Sequence, residues 1–476
     1  MRGIIFIWYM KSKDTLKGKS IFFVMGCLLL LAGCGKLQAG IEVSEAAQYF
    51  RLTDTLGMVR ADVLDPQHEG KLLARYYLVD ERFTIKDERL KSTDSEGAAW
   101  RPHLLDTLET KVMSPSSGVL HPSSIIHVPL LRVATMSATH IGFLYALGVL
   151  DSVVAMSNPE WVYNKPSHEV ANIGEDINIA MEPLLLAKPD VLFASSYGQN
   201  SQQIARVAEA GIPVVYLAEW QEQHPLARAE WLRFVAAFFG KTALADSILG
   251  EVRREYREPG ARNQEPRRDS PSDERTTTGD AGVSPAGSSE RTGIVCNAIS
   301  SKANALSAGE TPASPVDIAS SGVRPGDRTS IQEHPSSIML GASYRGTWYV
   351  PSGTTYMGCL FRDAGASYVF ADECTNGSIP LTMEQALRAF SEADVWVGAN
   401  ARTMEELRAI DEHHTWFKAY KTGRVYHFYR RTNSTGGNDF WETGVVHPEI
   451  ILRDLQWALY PDLYPDHEPY FIGKVE

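Results

Sequence analysis

Strand-like apolar runs alternate with segments of helical periodicity along much of the chain, and this alternation limits the possible folds more than any other feature of the sequence. Residues 132–136 and 190–194 have the pattern of strands, whereas residues 140–148 and 181–187 carry apolar side chains at helical spacing. Strands that alternate with helices form a parallel sheet covered on both faces. The sequence therefore predicts one α/β lobe over residues 125–225.

The same alternation returns over residues 336–476 and predicts a second α/β lobe. Residues 226–257 lie between the two, are rich in Ala, Leu, Glu and Arg, and contain no proline, so they predict one long helix. At a rise of 1.5 Å per residue this helix would be about 50 Å long and could join both lobes. The predicted fold class is therefore α/β, with two lobes bridged by one long α-helix.

Two further segments differ from the lobes in composition. Residues 34–124 contain short alternating runs between polar, Pro and Gly stretches, which predict a β-rich lead-in segment. Residues 258–335 are mostly Pro, Ser, Gly, Thr, Asp and Arg with almost no aromatic side chains. Because such a composition buries too little apolar surface to offset its ordering entropy, we predict a disordered low-complexity insertion. Its role stays open between a passive insertion and a partner-binding segment.

Residues 1–33 have the pattern of a lipoprotein signal peptide. A lysine-rich segment precedes an apolar run over residues 21–31, and Leu31-Ala32-Gly33-Cys34 follows as the cleavage box. Small residues before the cysteine admit the signal peptidase, and the Cys34 thiol accepts the lipid. A transmembrane anchor is the alternative, but the run is too short to cross roughly 30 Å of hydrocarbon. The start of translation stays open between Met1 and Met10.

Charge and missing motifs exclude several classes of function. The net charge is −12, and no basic cluster is present that could bind nucleic acid. The sequence has no CxxC or HExxH spacing for zinc, and no nucleophile elbow or dinucleotide-binding glycine motif for an enzyme. We therefore expect no catalysis, no metal site and no cofactor. Cys359 and Cys374 either pair in an oxidising compartment or remain two small unpaired hydrophobic residues.

Several motifs, taken in order, resemble one family of binding proteins. In the first lobe they are Ala134-Thr135-Met136-Ser137, Glu182-Pro183-Leu184-Leu185 and Lys188-Pro189-Asp190-Val191, and in the second Gly346-Thr347-Trp348-Tyr349, Glu384-Gln385-Ala386-Leu387 and Trp441-Glu442. These residues resemble the periplasmic binding proteins of ABC importers for ferric siderophores, haem and cobalamin. The resemblance covers nearly all of residues 131–460 except the polar insertion.

This resemblance implies two Rossmann-like lobes, with a metal chelate or corrinoid held in the cleft between them. It implies a protein held by the Cys34 lipid at the periplasmic face of a bacterial membrane, and we expect a monomer. It also implies that Glu182 and Glu384 dock onto an ABC permease that works with its ATPase. The alternative for each carboxylate is that it only offsets the positive end of its own helix. The alternative function is a surface ligand sensor with the same fold, uncoupled from transport.

Candidate ligand-binding residues follow predicted strands, because ligands of open α/β sheets collect beyond the carboxyl ends of strands. A planar metal complex needs apolar platforms and a few polar groups. The aromatic candidates are Tyr197, Trp220, Trp348, Tyr349 and Trp441, with Trp161, Tyr163 and Tyr429 as further choices. The polar candidates are Arg345 and Arg430 for ligand carboxylates, and His140 as a hydrogen-bonding group beside the cleft. Arg431 fits a solvated surface better, and each aromatic residue could instead pack in a core.

Overall fold

The computed structural model describes residues 41–42, 45–55, 58–80, 123–175, 178–196, 202–257, 335–375 and 377–476. Several sequence-based predictions fall outside these ranges. They are the signal peptide over residues 1–33, the lipidation site Cys34, the platform Tyr197 and the insertion over residues 258–334.

An N-terminal sheet precedes the first lobe. After a two-residue strand, Ile41–Glu42, it contains β1 (Phe50–Thr55), β2 (Met58–Leu64), β3 (Leu72–Asp80) and β4 (Ser123–Val128). Strands β1 to β3 are antiparallel neighbours, and β4 pairs in parallel with β3. Alternate side chains of β3, such as Tyr76, are buried, as expected for a sheet with one covered face. The sheet joins the first lobe, since Tyr216 N donates a hydrogen bond to the Tyr76 hydroxyl at 2.9 Å.

The first lobe is a parallel sheet with helices. Its elements are β5 (Val133–Thr135), α1 (Ala138–Ala146), β6 (Val153–Met156), β7 (Ala171–Asn172), β8 (Gly174–Glu175), β9 (Asn178–Ile179), α2 (Met181–Ala187), β10 (Val191–Ser195), α3 (Gln202–Glu209) and β11 (Val214–Leu217). The parallel strands lie in the order β11-β10-β5-β6-β7, and β8 pairs with β9 in a separate hairpin. All residues of β5, β10 and β11 are buried, which is typical of a sheet covered on both faces.

Residues 226–257 form two helices, α4 (Pro225–Ala237) and α5 (Thr242–Arg257), so the prediction of a single long helix is wrong. The chain leaves α4 at Gly240, whose φ of +64° lies in the left-handed region that glycine tolerates. Lys241 N then donates a hydrogen bond to Ala236 O at 2.9 Å. The segment contains no proline, and Gly240 is the residue that interrupts the helix.

Helices α4 and α5 pack against each other in an antiparallel hairpin that still joins the two lobes. Ion pairs connect Arg253 with Glu230 at 2.7 Å and Arg233 with Asp246 at 2.8 Å. The end of the hairpin near the Gly240 turn lies in the core of the first lobe, whereas Leu226 and Tyr256 at its opposite end lie in the core of the second. The hairpin therefore takes the place of the rod that the sequence predicted.

The second lobe mixes parallel and antiparallel pairing. Its elements are β12 (Ile338–Leu340), β13 (Ser343–Tyr344), β14 (Thr347–Pro351), α6 (Tyr356–Asp363), β15 (Ser378–Leu381), α7 (Met383–Phe390), β16 (Val395–Val397), α8 (Met404–Ile410), α9 (Lys418–Lys421), β17 (Tyr426–His427), α10 (Thr443–Val446), α11 (Pro448–Leu459) and β18 (Gly473–Lys474). Strands β12 and β16 are parallel, and β13, β14 and β15 form an antiparallel sheet. The apolar run over residues 368–370 predicts a strand, but residues 369–370 lie in a turn.

The structure also bears on the membrane and on the cysteines. Within the described ranges, no helix has the length and apolar character needed to cross a bilayer. Cys359 is a buried free thiol, so it forms no disulfide with Cys374, which is itself disulfide-bonded. Of the two alternatives left open by the sequence for Cys359, the unpaired buried residue is the one observed.

Candidate functional site between the lobes

The first lobe presents its sheet edge to the second at the point where strand order reverses. The chain runs from the central strand β5 outward to β6 and β7, and later to β10 and β11 on the other side. Such a reversal opens a crevice beyond the carboxyl ends of the strands. Helix α1 begins at this edge, where the Ser137 hydroxyl accepts a hydrogen bond from Thr139 N at 3.3 Å. Ala138, the first residue of α1, lines a cavity between the lobes.

Residues 158–164 of the first lobe touch residues 431–442 of the second, and we call this the interlobe contact. The Glu442 carboxylate accepts hydrogen bonds from Tyr163 N and from Asn164 N, the latter at 2.8 Å. The Asn164 side-chain amide donates to Glu442 at 2.9 Å and to Asp439 at 3.0 Å. Two buried carboxylates of the second lobe therefore hold one short loop of the first.

Close backbone approach reinforces the interlobe contact. A Cβ atom added to Gly437 would lie 2.3 Å from the carbonyl carbon of Val162, and one added to Gly142 would lie 2.1 Å from Glu442 O. Neither neighbour could move without moving backbone, so only glycine fits at these two positions. Asn433 adds a side-chain hydrogen bond to Val162 O at 2.8 Å. Glycine and polar groups therefore form this contact, and Val445 and Val446 of α10 lie nearby in the hydrophobic core of the first lobe.

Arg431 organises the charges at this contact. Its Nε donates to the buried Asp439 carboxylate at 2.6 Å. The guanidinium also lies 5.1 Å from the ring centre of Tyr163 and 4.2 Å from that of Tyr470. The sequence-based preference for a solvated Arg431 is therefore wrong, because its charge balances the buried Asp439 of the same lobe while its guanidinium contacts Tyr163 of the first lobe.

Burial raises the pKa of Glu442 to about 7, and the nearby Asp439 charge acts in the same direction. The N–H groups of Tyr163 and Asn164 oppose this rise because they stabilise the ionised form. The interlobe contact thus contains an acid that changes its protonation near neutral pH.

A cavity of about 330 Å³ lies beside the interlobe contact. Trp161 of the first lobe and Trp441 of the second both line it, and their exposed fractions are 62% and 44%. Its polar lining includes Thr435, Asn438 and Glu442. We call this space the interlobe cavity. It combines two aromatic surfaces with a few hydrogen-bonding groups, which is the usual composition of a small-molecule site.

A second, larger cavity of about 540 Å³ is lined by Arg430, Arg431, Glu468, Pro469 and Tyr470. Arg430 is partly exposed there, with its guanidinium 3.9 Å from the exposed Glu468 carboxylate. An ion pair this long and this exposed contributes little to stability. The Arg430 guanidinium therefore remains able to bind an anionic group, as the sequence predicts.

Three predicted aromatic residues have different positions in the structure. Trp441 lines the interlobe cavity, in keeping with its prediction as a ligand residue. Trp220, just after β11, and Tyr349, in β14, are both exposed but line neither of the two cavities above. Arg345 lies at the tip of the β13–β14 turn with a φ of +52° and likewise lines neither cavity.

The prediction that Trp348 contacts the ligand is wrong, because its side chain is 0% exposed. Its indole Nε1 donates to Leu340 O at 2.9 Å, and its ring packs against Trp396, His414 and Phe417. A ligand cannot reach a residue enclosed in this way, so Trp348 is a core residue of the second lobe. The sequence places Trp348 after the first strand of the lobe, whereas it lies inside β14 and faces inward.

His140 is also enclosed, with only 1% of its surface exposed. Its Nδ1 lies 2.9 Å from the Thr135 hydroxyl, and its Nε2 lies 4.0 Å from Glu219. Burial lowers the pKa of His140, against the opposing effect of the Glu219 charge. The predicted contact of His140 with ligand is not supported here, because α1 and Phe193 cover the ring. Within the described ranges, no three His, Cys, Asp or Glu side chains are grouped to hold a metal ion.

The two predicted docking carboxylates lie on surface helices of different lobes. Glu182 is exposed in the first turn of α2, next to the exposed Leu185 and Leu186. Glu384 is exposed in the first turn of α7 and pairs with Arg388 at 3.2 Å. The capping box of α7 is formed by Thr382 and Gln385, so Glu384 does not act as its hydrogen-bonding cap. The helix-dipole alternative remains for both residues.

Sequence reasoning missed most of the interlobe contact. Asn164, Asp439 and Tyr470 were not proposed, and Trp161 and Tyr163 were only secondary choices. The one local signal is the run Thr432-Asn433-Ser434-Thr435-Gly436-Gly437-Asn438, whose small polar residues predict a turn-rich loop. Nothing in that run shows that it meets a loop some 270 residues earlier.

The chain is similar in sequence to a known family and to a protein of another organism. The family model described as periplasmic binding protein matches residues 133–272 and 325–431, just over half of the chain. An uncharacterised lipoprotein of Methanocaldococcus jannaschii is 22% identical over 367 residues, which cover 74% of this chain and 70% of that protein.

Two solved structures illustrate the similarity. A periplasmic haem-binding protein from Pseudomonas aeruginosa has 14% identity and a TM-score of 0.44, over 73% of this chain and 98% of that one. A periplasmic vitamin B12-binding protein of Vibrio cholerae has 13% identity and a TM-score of 0.39, over 71% and 99%.

This chain belongs to the periplasmic binding protein family. This is a family of binding proteins rather than of enzymes, which confirms the expectation of a binding protein without catalysis. The α/β fold class predicted from the sequence is confirmed as well.

Proposed function

We propose that this chain is the substrate-binding lipoprotein of an ABC importer and that it captures its ligand in the interlobe cavity. The observation that carries the proposal is that exposed Trp161 and Trp441, one from each lobe, face the same cavity of about 330 Å³. Aromatic surfaces from two lobes can enclose a planar ligand from both sides.

The ligand class follows from the sequence resemblance, which is to binding proteins for ferric siderophores, haem and cobalamin. The interlobe cavity lies at the lower end of the usual range for ligand sites, about 300–1,000 Å³. A chelate or corrinoid larger than this space enters when the interlobe contact opens. Arg430, in the adjoining open cavity, is placed to pair with a ligand carboxylate.

Transport requires contact with a permease and a position at the membrane. Glu182 and Glu384 are the proposed docking residues, and their exposure on one helix of each lobe supports this role. Cys34 is the proposed lipid attachment site, in line with the related archaeal lipoprotein. We place the protein at the periplasmic face of a bacterial membrane as a monomer, with an ABC permease and its ATPase as partners.

Absorbance titration tests the ligand site. The purified protein is mixed with haem, a ferric siderophore or cobalamin, and one of the three is expected to give a saturable spectral change at micromolar concentration. Trp441→Ala should weaken that binding at least tenfold, which corresponds to about 1.4 kcal/mol. Trp416→Ala is the matched control, because Trp416 is exposed and does not line either cavity. Equal affinities of the two variants would remove Trp441 from the site.

Uptake by whole cells tests the docking residues. Glu182→Ala with Glu384→Ala should abolish uptake and leave ligand affinity unchanged. Glu209→Ala with Glu405→Ala, at exposed positions on α3 and α8, should change neither. Normal uptake by the first pair would contradict docking through these residues, and ligand binding without any dependence of uptake on this protein would favour a sensor.

A further inference from the structure

Trp441 also lines a second, small and partly open cavity. Its volume is about 10 Å³, roughly the space that one water-sized sphere occupies. The first residues of three helices line it, namely Pro225 of α4, Tyr356 of α6 and Pro448 of α11. Helix N-termini carry partial positive charge, so three of them together produce a positive potential in this space.

Arg228 adds a full positive charge to the same cavity. The residue is only 8% exposed, and its guanidinium carbon lies 4.5 Å from the ring centre of Tyr356. Its Nε is buried and has no hydrogen-bond partner. Across the described residues, no carboxylate oxygen lies within 4.0 Å of its guanidinium nitrogens. Arg228 is also the only Arg, Lys, Asp or Glu among the residues that line the cavity.

Arg228 is deeply buried and, among the described residues, has no carboxylate within 4.0 Å, which is unfavourable for a cation, although its terminal nitrogens, unlike Nε, are not fully enclosed. Aromatic contact with Tyr356 offsets only a part of this cost. The helix ends increase the cost, because a positive side chain in the first turn of a helix is repelled by its dipole. An anion in the cavity would remove all of these penalties at once.

We propose that this cavity binds one chloride-sized monovalent anion, held by Arg228 and by the positive ends of α4, α6 and α11. The space of about 10 Å³ fits an anion the size of chloride better than phosphate or sulfate. A ligand carboxylate has the same charge, and Trp441 lines both this cavity and the interlobe cavity.

The anion site joins elements of both parts of the molecule. Helix α4 belongs to the bridging hairpin, whereas α6 and α11 belong to the second lobe. Anion binding therefore fixes the hairpin to the second lobe next to Trp441, which lines the same cavity. The site does not depend on the ligand or on the transport role proposed above.

Thermal unfolding of the full chain tests the site. The protein is dialysed into sodium gluconate, whose anion is too large for the cavity, and is titrated with sodium chloride or bromide at constant ionic strength. The midpoint temperature should rise and then saturate. Arg228→Met should abolish this rise, because it removes the charge and keeps a similar apolar volume. Arg233→Met should keep it, since Arg233 lies on the same helix but pairs with Asp246 outside the cavity.

A second measurement covers the case in which Arg228→Met does not fold. Crystals of the unmodified protein grown with bromide should show an anomalous peak beside Arg228. No saturable halide effect in the unmodified protein, equal effects in Arg228→Met, or no bromide beside Arg228 would each overturn the proposal. A larger midpoint shift with formate than with chloride would also overturn it, by assigning the site to carboxylates.

Discussion

Two junctions of this molecule use the same polar chemistry with different support. At the first, residues 45–50 lie against the start of the bridging hairpin, and we call this the N-terminal junction. There the buried Glu222 accepts hydrogen bonds from Gln48 N at 3.0 Å and Tyr49 N at 3.1 Å. At the interlobe contact, the buried Glu442 accepts in the same way from Tyr163 N and Asn164 N. Both junctions therefore attach a loop through its backbone N–H groups.

The two junctions differ in the aromatic side chains that lie near their carboxylates. At the N-terminal junction, Phe50 is buried against Trp231 and Phe234, with ring centres 5.1 Å and 5.6 Å away. At the interlobe contact, Trp161 is mostly exposed and faces a cavity, and the Tyr163 ring lies against the Arg431 guanidinium. Because apolar burial contributes about 25 cal/mol per Å² while hydrogen bonds exchange with water at small net gain, the first junction should be permanent and the second reversible.

Removing the aromatic support should give the largest effect. Phe50→Ala should lower the free energy of unfolding by about 3–5 kcal/mol, since it leaves a cavity between β1 and α4. Trp161→Ala, which removes a larger but exposed side chain, should change it by about 0.5 kcal/mol or less. Denaturant titration measures both. Similar losses in the two variants would mean that the interlobe contact is as permanent as the N-terminal junction.

A steric change should separate the lobes without unfolding either of them. Gly437→Ala places a methyl group 2.3 Å from the Val162 carbonyl carbon, so the closed interlobe contact should lose about 1–3 kcal/mol. Small-angle scattering should show a larger radius of gyration. Gly250→Ala, where a Cβ meets nothing within 4 Å on α5, should leave the radius unchanged and stabilise slightly. An unchanged radius for Gly437→Ala would show that the contact adjusts without opening.

Removing each carboxylate compares the junctions directly. Glu222→Ala should cost about 1–3 kcal/mol of global stability, because Gln48 N and Tyr49 N stay buried without an acceptor. Glu442→Ala should cost less globally, since the lobes can part and let water reach Tyr163 N and Asn164 N. Hydrogen exchange should accelerate locally at residues 163–164 in the second variant. Loss of protection throughout the chain in Glu442→Ala would contradict a reversible contact.

The two junctions also show what the sequence could and could not predict. Periodicity predicts α2, β5 and β10 close to their observed bounds, because those patterns are local. Gly240 separates α4 from α5, although the absence of proline predicts one continuous helix. The inward orientation of Trp348 depends on its register in β14, which is set by its antiparallel neighbours rather than by its own sequence. Contacts such as Asn164 with Glu442 join distant loops, and no local pattern pairs them.

The junctions should also differ in their pH dependence. Burial raises the pKa of Glu222 and of Glu442 to about 7, from an ordinary value near 4.5. Each group therefore holds a proton in the native state between these two pH values and releases it when its junction opens. Stability should thus fall as pH rises from 4.5 to 7, by at most about 1.4 kcal/mol per pH unit for each group.

The two acids should act on different equilibria. Glu222→Gln, which mimics the protonated acid, should flatten the pH dependence of global unfolding over this range. Glu442→Gln should leave most of that slope in place and instead flatten the pH dependence of the radius of gyration, because Glu442 titrates with lobe opening. If Glu442→Gln removed the slope of global unfolding, opening of the interlobe contact and unfolding of the chain would be one event, and the difference between the junctions would disappear.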